Sequence, residues 1–234
     1  MRMTNGIQFR HELKYRISNG EKQIIKKRLD EVLKKDEHAV QGIYRIRSLY
    51  FDDFWNSAYE DKLSGIAVRE KYRIRFYEYN DAHIKLECKH KQGNYIYKEA
   101  ASLTREETER ILQSDFSFLA ERKEELCKRF YYQCTSRLLR PRVIVDYVRE
   151  PYIYEAGDVR ITFDSEIREA QFLGDLFDPY LPSHAVMDAG ELIMEVKYTS
   201  FLPEFIRQII PAGASDYTAA SKYVMCYEKM KERY

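Results

Sequence analysis

The sequence predicts a single α+β domain, residues 1–234, built on a closed antiparallel β-barrel with a charged interior and surrounding helices. Three observations predict it. Short segments alternate apolar and polar residues, and three of them are separated by the tight polar turns Asn80-Asp81 and Gln92-Gly93-Asn94, a hairpin signal. The chain carries 20 Tyr and 12 Phe, residue types that favour strands. No linker, internal repeat or low-complexity tract divides it.

The first strand runs from about Gln8 to Ile17 and ends at Ser18-Asn19-Gly20, where Ser18 or Asn19 caps a helix from Glu21 to about Lys35. Ile24, Ile25, Leu29, Val32 and Leu33 give that helix an apolar stripe. A second strand, Tyr44 to Phe51, leads through Asp52-Asp53-Phe54 and a short helical stretch to the Ser64-Gly65 turn. The meander follows as Ala67–Tyr79, Ala82–Lys91 and Tyr95–Ala101. Thr104 with Glu106 and Glu107 starts a helix that continues to Tyr132, anchored by Phe116, Leu119, Leu126 and Phe130. Strands resume at Pro141–Val148, Tyr152–Tyr154, Val159–Phe163 and, after a loop with Gly174, Pro179 and Pro182, at Leu192–Tyr198. Asp216 to Lys231 closes the chain as a helix with Tyr217, Ala220, Val224 and Tyr227 on one side.

With 39 Lys plus Arg against 38 Asp plus Glu, a formal charge of +1 and 44% hydrophobic residues, the composition is that of a folded domain and excludes disorder. The longest apolar runs fall far short of the ~18 residues of a membrane span. Met1 to Tyr15 has no apolar core of a secretory signal. Cys88, Cys127, Cys134 and Cys226 are scattered without a CxxC pair, so a reducing, cytoplasmic location is expected. Balanced charge argues against a nucleic-acid partner.

Local charge is more informative, because residues two apart share a strand face. Arg10, Glu12, Lys14 and Arg16 lie opposite Phe9, His11, Leu13, Tyr15 and Ile17. Arg69, Lys71, Arg73 and Arg75 oppose Val68, Tyr72, Ile74 and Phe76, and Lys85, Glu87, Lys89 and Lys91 oppose Ile84, Leu86, Cys88 and His90. Asp158, Arg160, Thr162 and Asp164 oppose Val159, Ile161 and Phe163, while Glu191, Glu195 and Lys197 oppose Leu192, Met194 and Val196. Such a sheet can be half-exposed with its charges in water, or closed with its charges inside. Four cations in a row from Arg69 to Arg75 repel one another, whereas surface sheets intersperse signs. The closed arrangement is therefore preferred, and it demands a polyanion, since unpaired buried charges cost several kcal/mol each. Phosphate fits: Arg offers bidentate forks, Lys a compact charge, and carboxylates hold a bridging divalent cation. Arg45 and Arg47 share a strand face and are further candidates for the lining. His11 and His90 fall on the apolar face, where they read as packed side chains.

The order Glu12-x-Lys14, Arg73-x-Arg75, Glu87-x-Lys89, Lys98, Arg149, Arg160, Glu195-x-Lys197 and Ser221-Lys222-Tyr223 resembles the VTC domain, the polyphosphate polymerase branch of the CYTH or triphosphate tunnel metalloenzyme superfamily. The stretches Phe9-Arg10-His11-Glu12-Leu13-Lys14-Tyr15, Ser48-Leu49-Tyr50-Phe51-Asp52 and Glu195-Val196-Lys197-Tyr198 look like its bacterial members. The resemblance implies a tunnel that binds ATP or another nucleoside triphosphate and inorganic polyphosphate with Mn²⁺ or Mg²⁺. By position, Lys14, Arg47, Arg73, Arg75, Lys89, Lys98, Arg149, Arg160, Lys197 and Lys222 would bind phosphate. Glu195, with Glu12 and Glu87, would hold the metal, and Arg73, Arg75, Lys89 and Glu195 would carry catalysis. A membrane-protein partner would be a separate chain. Two departures stand out. The superfamily has a second glutamate two residues before Glu12, where this chain has Arg10, and Ala219 stands where polymerase relatives place a further lysine.

The activity implied is transfer of the terminal phosphate of a nucleotide onto a polyphosphate chain. Two other readings of the same tunnel stay open: a metal-dependent triphosphatase, and a non-catalytic module that binds polyphosphate or inositol-phosphate-like anions. A scaffold with a solvated basic sheet would bind no phosphate tightly.

Overall fold

The structure is a computed structural model that describes residues 9–37, 39, 41–93, 95–210 and 220–233. Gln8, Asn94 and the Asp216–Ala219 segment lie outside the described residues. In chain order the elements are β1 (His11–Ser18), α1 (Asn19–Asp30), β2 (Lys34–Lys35), β3 (Tyr44–Asp52), α2 (Ser57–Leu63), β4 (Val68–Tyr77), β5 (Ile84–Gln92), β6 (Tyr95–Leu103), α3 (Arg105–Leu112), a 3₁₀ turn (Ser117–Glu121), α4 (Glu125–Ser136), β7 (Arg140–Tyr154), β8 (Val159–Ala170), β9 (Ser183–Ala185), β10 (Glu191–Tyr198), α5 (Glu204–Ile209) and α6 (Lys222–Lys231).

One antiparallel sheet runs β1-β10-β8-β7-β3-β4-β5-β6, with β2 attached to β7 and β9 to β8. Its end strands meet at a single bridge. The Arg10 N–H donates to the Ile96 carbonyl (3.0 Å) and the Ile96 N–H to the Arg10 carbonyl (3.3 Å). The sheet thus curls into a barrel pinned shut at one point, not along a full ladder.

Alternation along these strands sends apolar side chains outward under the helices. One core packs Tyr72, Ile74 and Phe76 of β4 and Leu86 and Cys88 of β5 against Ile111 of α3 and Leu126, Cys127 and Phe130 of α4. A second joins Tyr15 and Ile17 of β1, Ile161 and Phe163 of β8 and Met194 and Val196 of β10 to Ile25 and Leu29 of α1 and Ile206 of α5. Within the α1 stripe Ile25, Leu29 and Leu33 are buried, while Ile24 and Val32 are exposed. The third core is on the lumen side, where Tyr223, Val224, Cys226 and Tyr227 of α6 pack on Ile46, Val143, Val145, Tyr147, Ile167 and Ile193. The apolar face of α6 therefore covers one part of the lumen and leaves the charged part open.

Several elements differ from expectation for local reasons. The helix expected from Thr104 to Tyr132 breaks at Ser114, whose φ of +64° is left-handed. Asp115 then accepts from the Ser117 N–H (3.2 Å) and starts the 3₁₀ turn. Both predicted N-termini carry capping boxes, Ser18 with Glu21 and Thr104 with Glu107. The strands expected at 141–148 and 152–154 are one, β7, which passes through Pro151. Pro151 is tolerated because β3 stops pairing at Tyr44/Arg149, and beyond it only the two-residue β2 flanks that edge. β8 runs to Ala170, with an irregularity beside Glu166, whose φ is +53°. Among the described residues no helix is long and apolar enough to cross a membrane.

Candidate functional site

The open part of the lumen is a cavity of about 230 Å³. Its wall carries Lys14 (β1), Lys62 (α2), Arg69, Lys71, Arg73 and Arg75 (β4), Lys89 and Lys91 (β5), Arg149 (β7), Lys197 (β10) and Lys222 (α6). Against these stand the carboxylates of Glu12 and Glu195, and Tyr50, Ile96, Tyr147, Ala220, Ser221 and Tyr223 complete the lining. Period-two alternation is what brings these residues together.

On one side the cations are paired with acids. Glu195 accepts from Lys222 Nζ (2.7 Å) and Lys197 Nζ (2.7 Å), with Arg149 Nη2 at 3.4 Å. Asp164, fully buried, takes a bidentate fork from Arg149 (2.7 and 2.7 Å) and the Lys222 ammonium at 2.5 Å. Glu12 accepts from Lys89 Nζ at 3.0 and 2.8 Å. Lys14 Nζ lies between two acids, 3.2 Å from Glu12 and 3.6 Å from Glu195. Burial alone would raise these carboxyl pKa values, but the surrounding ammonium and guanidinium groups hold Glu12, Glu195 and Asp164 below their ordinary range. Burial would likewise lower Lys222, yet Asp164 and Glu195 hold it above its usual value. Lys197 shows the opposite balance: burial, with Arg149 adding to it, outweighs Glu195 and brings it down to about 8.

Along β4 the compensation stops. Arg73 is held by Glu87, Nε to Oε2 at 2.8 Å, and donates to the Tyr50 hydroxyl at 2.8 Å. Arg75 is buried and, among the described residues, donates to two neutral oxygens, Ser48 Oγ (3.0 Å) and the Tyr147 hydroxyl (2.8 Å). Lys71 reaches Ser221 Oγ at 3.3 Å and lies 4.7 Å over the Tyr223 ring. Burial and the neighbouring charges of Lys14, Arg69, Lys89 and Lys62 push its pKa well down. Among the described residues no salt bridge reaches Arg75, Lys71, Arg69, Lys62 or Lys91.

α6 reaches this wall through Asp52. Asp52 accepts from the Ala58 N–H (2.9 Å) and Tyr59 N–H (3.1 Å) at the start of α2, and from the Tyr223 hydroxyl. That contact seats Tyr223 and, beside it, Lys222.

Four expected residues sit elsewhere. Arg47 is turned to the outer face of β3, 1% exposed. It forks onto Asp146 (2.8 and 2.7 Å) and donates to the Leu176 and Asp178 carbonyls, so it clamps the loop after β8 and does not line the cavity. Arg160 shares a face with Thr162 and Asp164, but its guanidinium bonds Asp36 (2.8 Å), outside the lining. Glu87 shares the β5 face of Lys89 but is not part of the cavity lining; it accepts from Arg73 and from Lys98 at 2.5 Å. Lys98 is that pair's other cation and is half-exposed. Arg10 bonds Asp158 at 2.9 Å, leaving no carboxylate at that first-strand position. His11 stacks on Tyr198 and His90 on Tyr97, both packed as expected. Ala219 lies outside the described residues.

The residues missed include Lys62, Arg69, Lys71, Lys91, Asp164, Tyr50 and Tyr147. Lys71 and Asp164 carried a signal, since each shares a strand face with a residue that was chosen. The tyrosines carried none, because a lumen-facing Tyr and a core Tyr look alike in sequence.

Glu12 and Glu195 are the carboxylates of the cavity that could hold a divalent cation. Such ions take one or two carboxylates and fill their remaining positions with phosphate oxygens and water. Glu12 and Glu195 converge on one position, filled here by the Lys14 ammonium. Directly across the ladder from Glu195 the buried Thr162 hydroxyl has no hydrogen-bond partner among the described residues.

A pinned antiparallel barrel with a cationic lumen and helices outside defines the triphosphate tunnel class. The VTC domain model matches residues 9–231, and the chain belongs to that family. Among solved structures it is similar to a Hippeastrum protein described as a candidate adenylyl cyclase with a dominant triphosphatase activity, at 13% identity, TM-score 0.53, covering 95% of this chain and 96% of that one. Candidate adenylate cyclases from Bacillus halodurans (16% identity, TM-score 0.51, 83% of each chain) and Vibrio parahaemolyticus (13%, TM-score 0.51, 93% and 97%) share the fold. No curated protein sequence matches significantly.

Proposed function

We propose that the chain is a metal-dependent phosphotransferase of the polyphosphate polymerase type. Arg73, Arg75, Lys71 and Lys89 grip the triphosphate of ATP, and Lys14, Lys197, Arg149 and Lys222 hold the reacting end. A terminal oxygen of the polyphosphate chain attacks the γ-phosphorus, the bond to the β-phosphate oxygen breaks, and ADP leaves as the chain grows by one phosphate. Positioning and charge neutralisation supply most of the rate in such transfers, so no nucleophilic side chain is needed. A divalent cation at Glu195 and Glu12, when bound, neutralises charge on the phosphate oxygens.

The observation that carries this reading lies on β4, where no salt bridge from a described residue reaches the buried Arg75 or the partly buried Lys71, charges that an anion would complete. Arg10 favours transfer over hydrolysis, because it replaces a carboxylate that would help hold a second metal. Incubation of the purified protein with ATP and Mn²⁺ is expected to yield long-chain polyphosphate, lost in Glu195→Gln. Free phosphate as the sole product would make the protein a triphosphatase, the activity attributed to the Hippeastrum structure. Tight polyphosphate binding without turnover would make it a binding module.

A further inference from the structure

The outer face of the same wall holds a second constellation that the tunnel does not use. Cys88 and His90 are two apart on β5 and both point outward, away from Lys89. Glu70 on β4 pairs with His90, and Glu99 on β6 pairs with Cys88. One ligand atom each from Glu70, Cys88 and His90 lie within 4.8 Å of one another. Cys88 and His90 are buried, and the Glu70 side chain is 43% exposed.

His90 is oriented as a ligating histidine is. Its Nε2 faces Glu99 at 2.6 Å, Glu99 is itself bonded by Arg129 of α4, and Tyr97 stacks on the ring at 4.3 Å with a 6° tilt. Its Nδ1 faces Glu70 at 3.0 Å, and the other oxygen of Glu70 accepts from the Tyr72 hydroxyl at 3.2 Å. Metal-binding histidines characteristically give their second ring N–H to a carboxylate, which fixes tautomer and direction. Here Glu99 takes that part and leaves Nδ1, the Cys88 sulfur and a Glu70 oxygen converging on one point.

We propose that Cys88, His90 and Glu70 form a site for a borderline divalent metal such as Zn²⁺, with Glu99 holding His90 in place. Thiolate, imidazole and carboxylate are the donors zinc takes, and three of them leave a fourth position open toward the exposed side of Glu70. The charges balance: a divalent cation and Arg129 offset Glu70, Glu99 and the Cys88 thiolate, and the thiol proton leaves to solvent on binding. The metal ties β4 to β5, with Glu99 of β6 held through His90, behind the face that carries Arg73, Arg75 and Lys89, so its role is structural and distinct from the tunnel's cation.

Chelator-treated full-length protein titrated with Zn²⁺ and with Co²⁺ tests this. One equivalent of Zn²⁺ is expected to bind equally to the unchanged protein and to Glu195→Gln, and the Co²⁺ form is expected to show a thiolate-to-metal absorption band. Cys88→Ala is expected to abolish the band, and Cys88→Ala and His90→Gln each to weaken zinc binding at least ~10-fold, with Glu99→Gln costing roughly 10-fold. Bound zinc is also expected to raise the melting temperature of the unchanged protein but not of Cys88→Ala. If Cys88→Ala does not fold, Glu99→Gln, which changes one partly exposed side chain, reads the same outcome. Absence of the thiolate band, or zinc affinity unchanged in Glu99→Gln and in whichever ligand variant folds, would overturn the proposal.

Discussion

The two sides of the cavity solve the same problem in opposite ways. Around Glu12, Glu195 and Asp164, every cation lies within salt-bridge distance of an acid, with the three carboxylates shared among Lys14, Lys89, Arg149, Lys197 and Lys222. Along β4 and its neighbours, Arg69, Lys71, Arg75, Lys62 and Lys91 lack acids within salt-bridge distance among the described residues. The paired side holds a geometry, while the unpaired side stores a demand for anion. The same kind of residue, a lumen-facing cation, therefore stabilises the fold in one place and opposes it in the other.

The comparison breaks most visibly at Asp164. Asp164→Asn leaves the Arg149 fork and half of the Lys222 pairing unanswered in a dry site, and loss of one partner of a buried pair costs ~3–5 kcal/mol. Urea denaturation is expected to show a loss of about 3 kcal/mol; a loss under 1 kcal/mol would mean that the paired side is not what holds the wall. Next in size is Glu195→Gln, expected to lower ATP- and Mn²⁺-dependent turnover by ~10²–10³-fold, the scale of removing one preorganised electrostatic group. Retention of most turnover in that variant would move the chemistry away from the acidic side.

How much of this was legible in the sequence depended on whether a strand had two distinguishable faces. In β1, β4, β5 and β10 one face is charged and the other apolar, and Glu12, Lys14, Arg73, Arg75, Lys89, Glu195 and Lys197 all fell where alternation put them. β3 is buried on both sides, so Ile46, Leu49, Tyr50 and Phe51 did not reveal which face met the lumen, and Arg47 was placed on the wrong one. The irregularity at Glu166 hid the length of β8. The seat of α6 depends on Asp52 meeting Tyr223, a contact 171 residues apart that no local pattern carries.

Lys71→Met sharpens the contrast with a smaller effect of opposite sign. Removing a partly buried charge that no described acid pairs is expected to raise the melting temperature by a few degrees, the shift that ~1 kcal/mol produces in a domain of this size. The same change is expected to weaken triphosphate binding about 10-fold, on the scale of one hydrogen bond to a charged group. A variant that loses stability and keeps affinity would place Lys71 among the structural cations.

Lys197 lies between the two regimes, and pH separates its two roles. It faces Glu195, Arg149, Glu12 and Lys89, and burial brings its pKa down to about 8 from the usual 10.5. Below pH 8 both folded and unfolded chains carry its proton, and the folded state bears the cost of the buried charge. Between pH 8 and 10.5 the unfolded chain binds more protons, so the Lys197 contribution to stability rises with pH, by at most ~1.4 kcal/mol per unit. Anion binding runs the other way, because the ammonium that meets phosphate is lost through the same window. A bound anion favours the ammonium, so saturating triphosphate is expected to move the transition to higher pH. Comparing the unchanged protein with Lys197→Met in urea melts and binding titrations from pH 7 to 10 isolates this group from Lys71, whose pKa is also lowered. The difference between the two proteins is expected to slope upward for stability and downward for affinity. An upward slope for stability beside a flat affinity difference would show that Lys197 serves the fold alone and belongs wholly to the paired side.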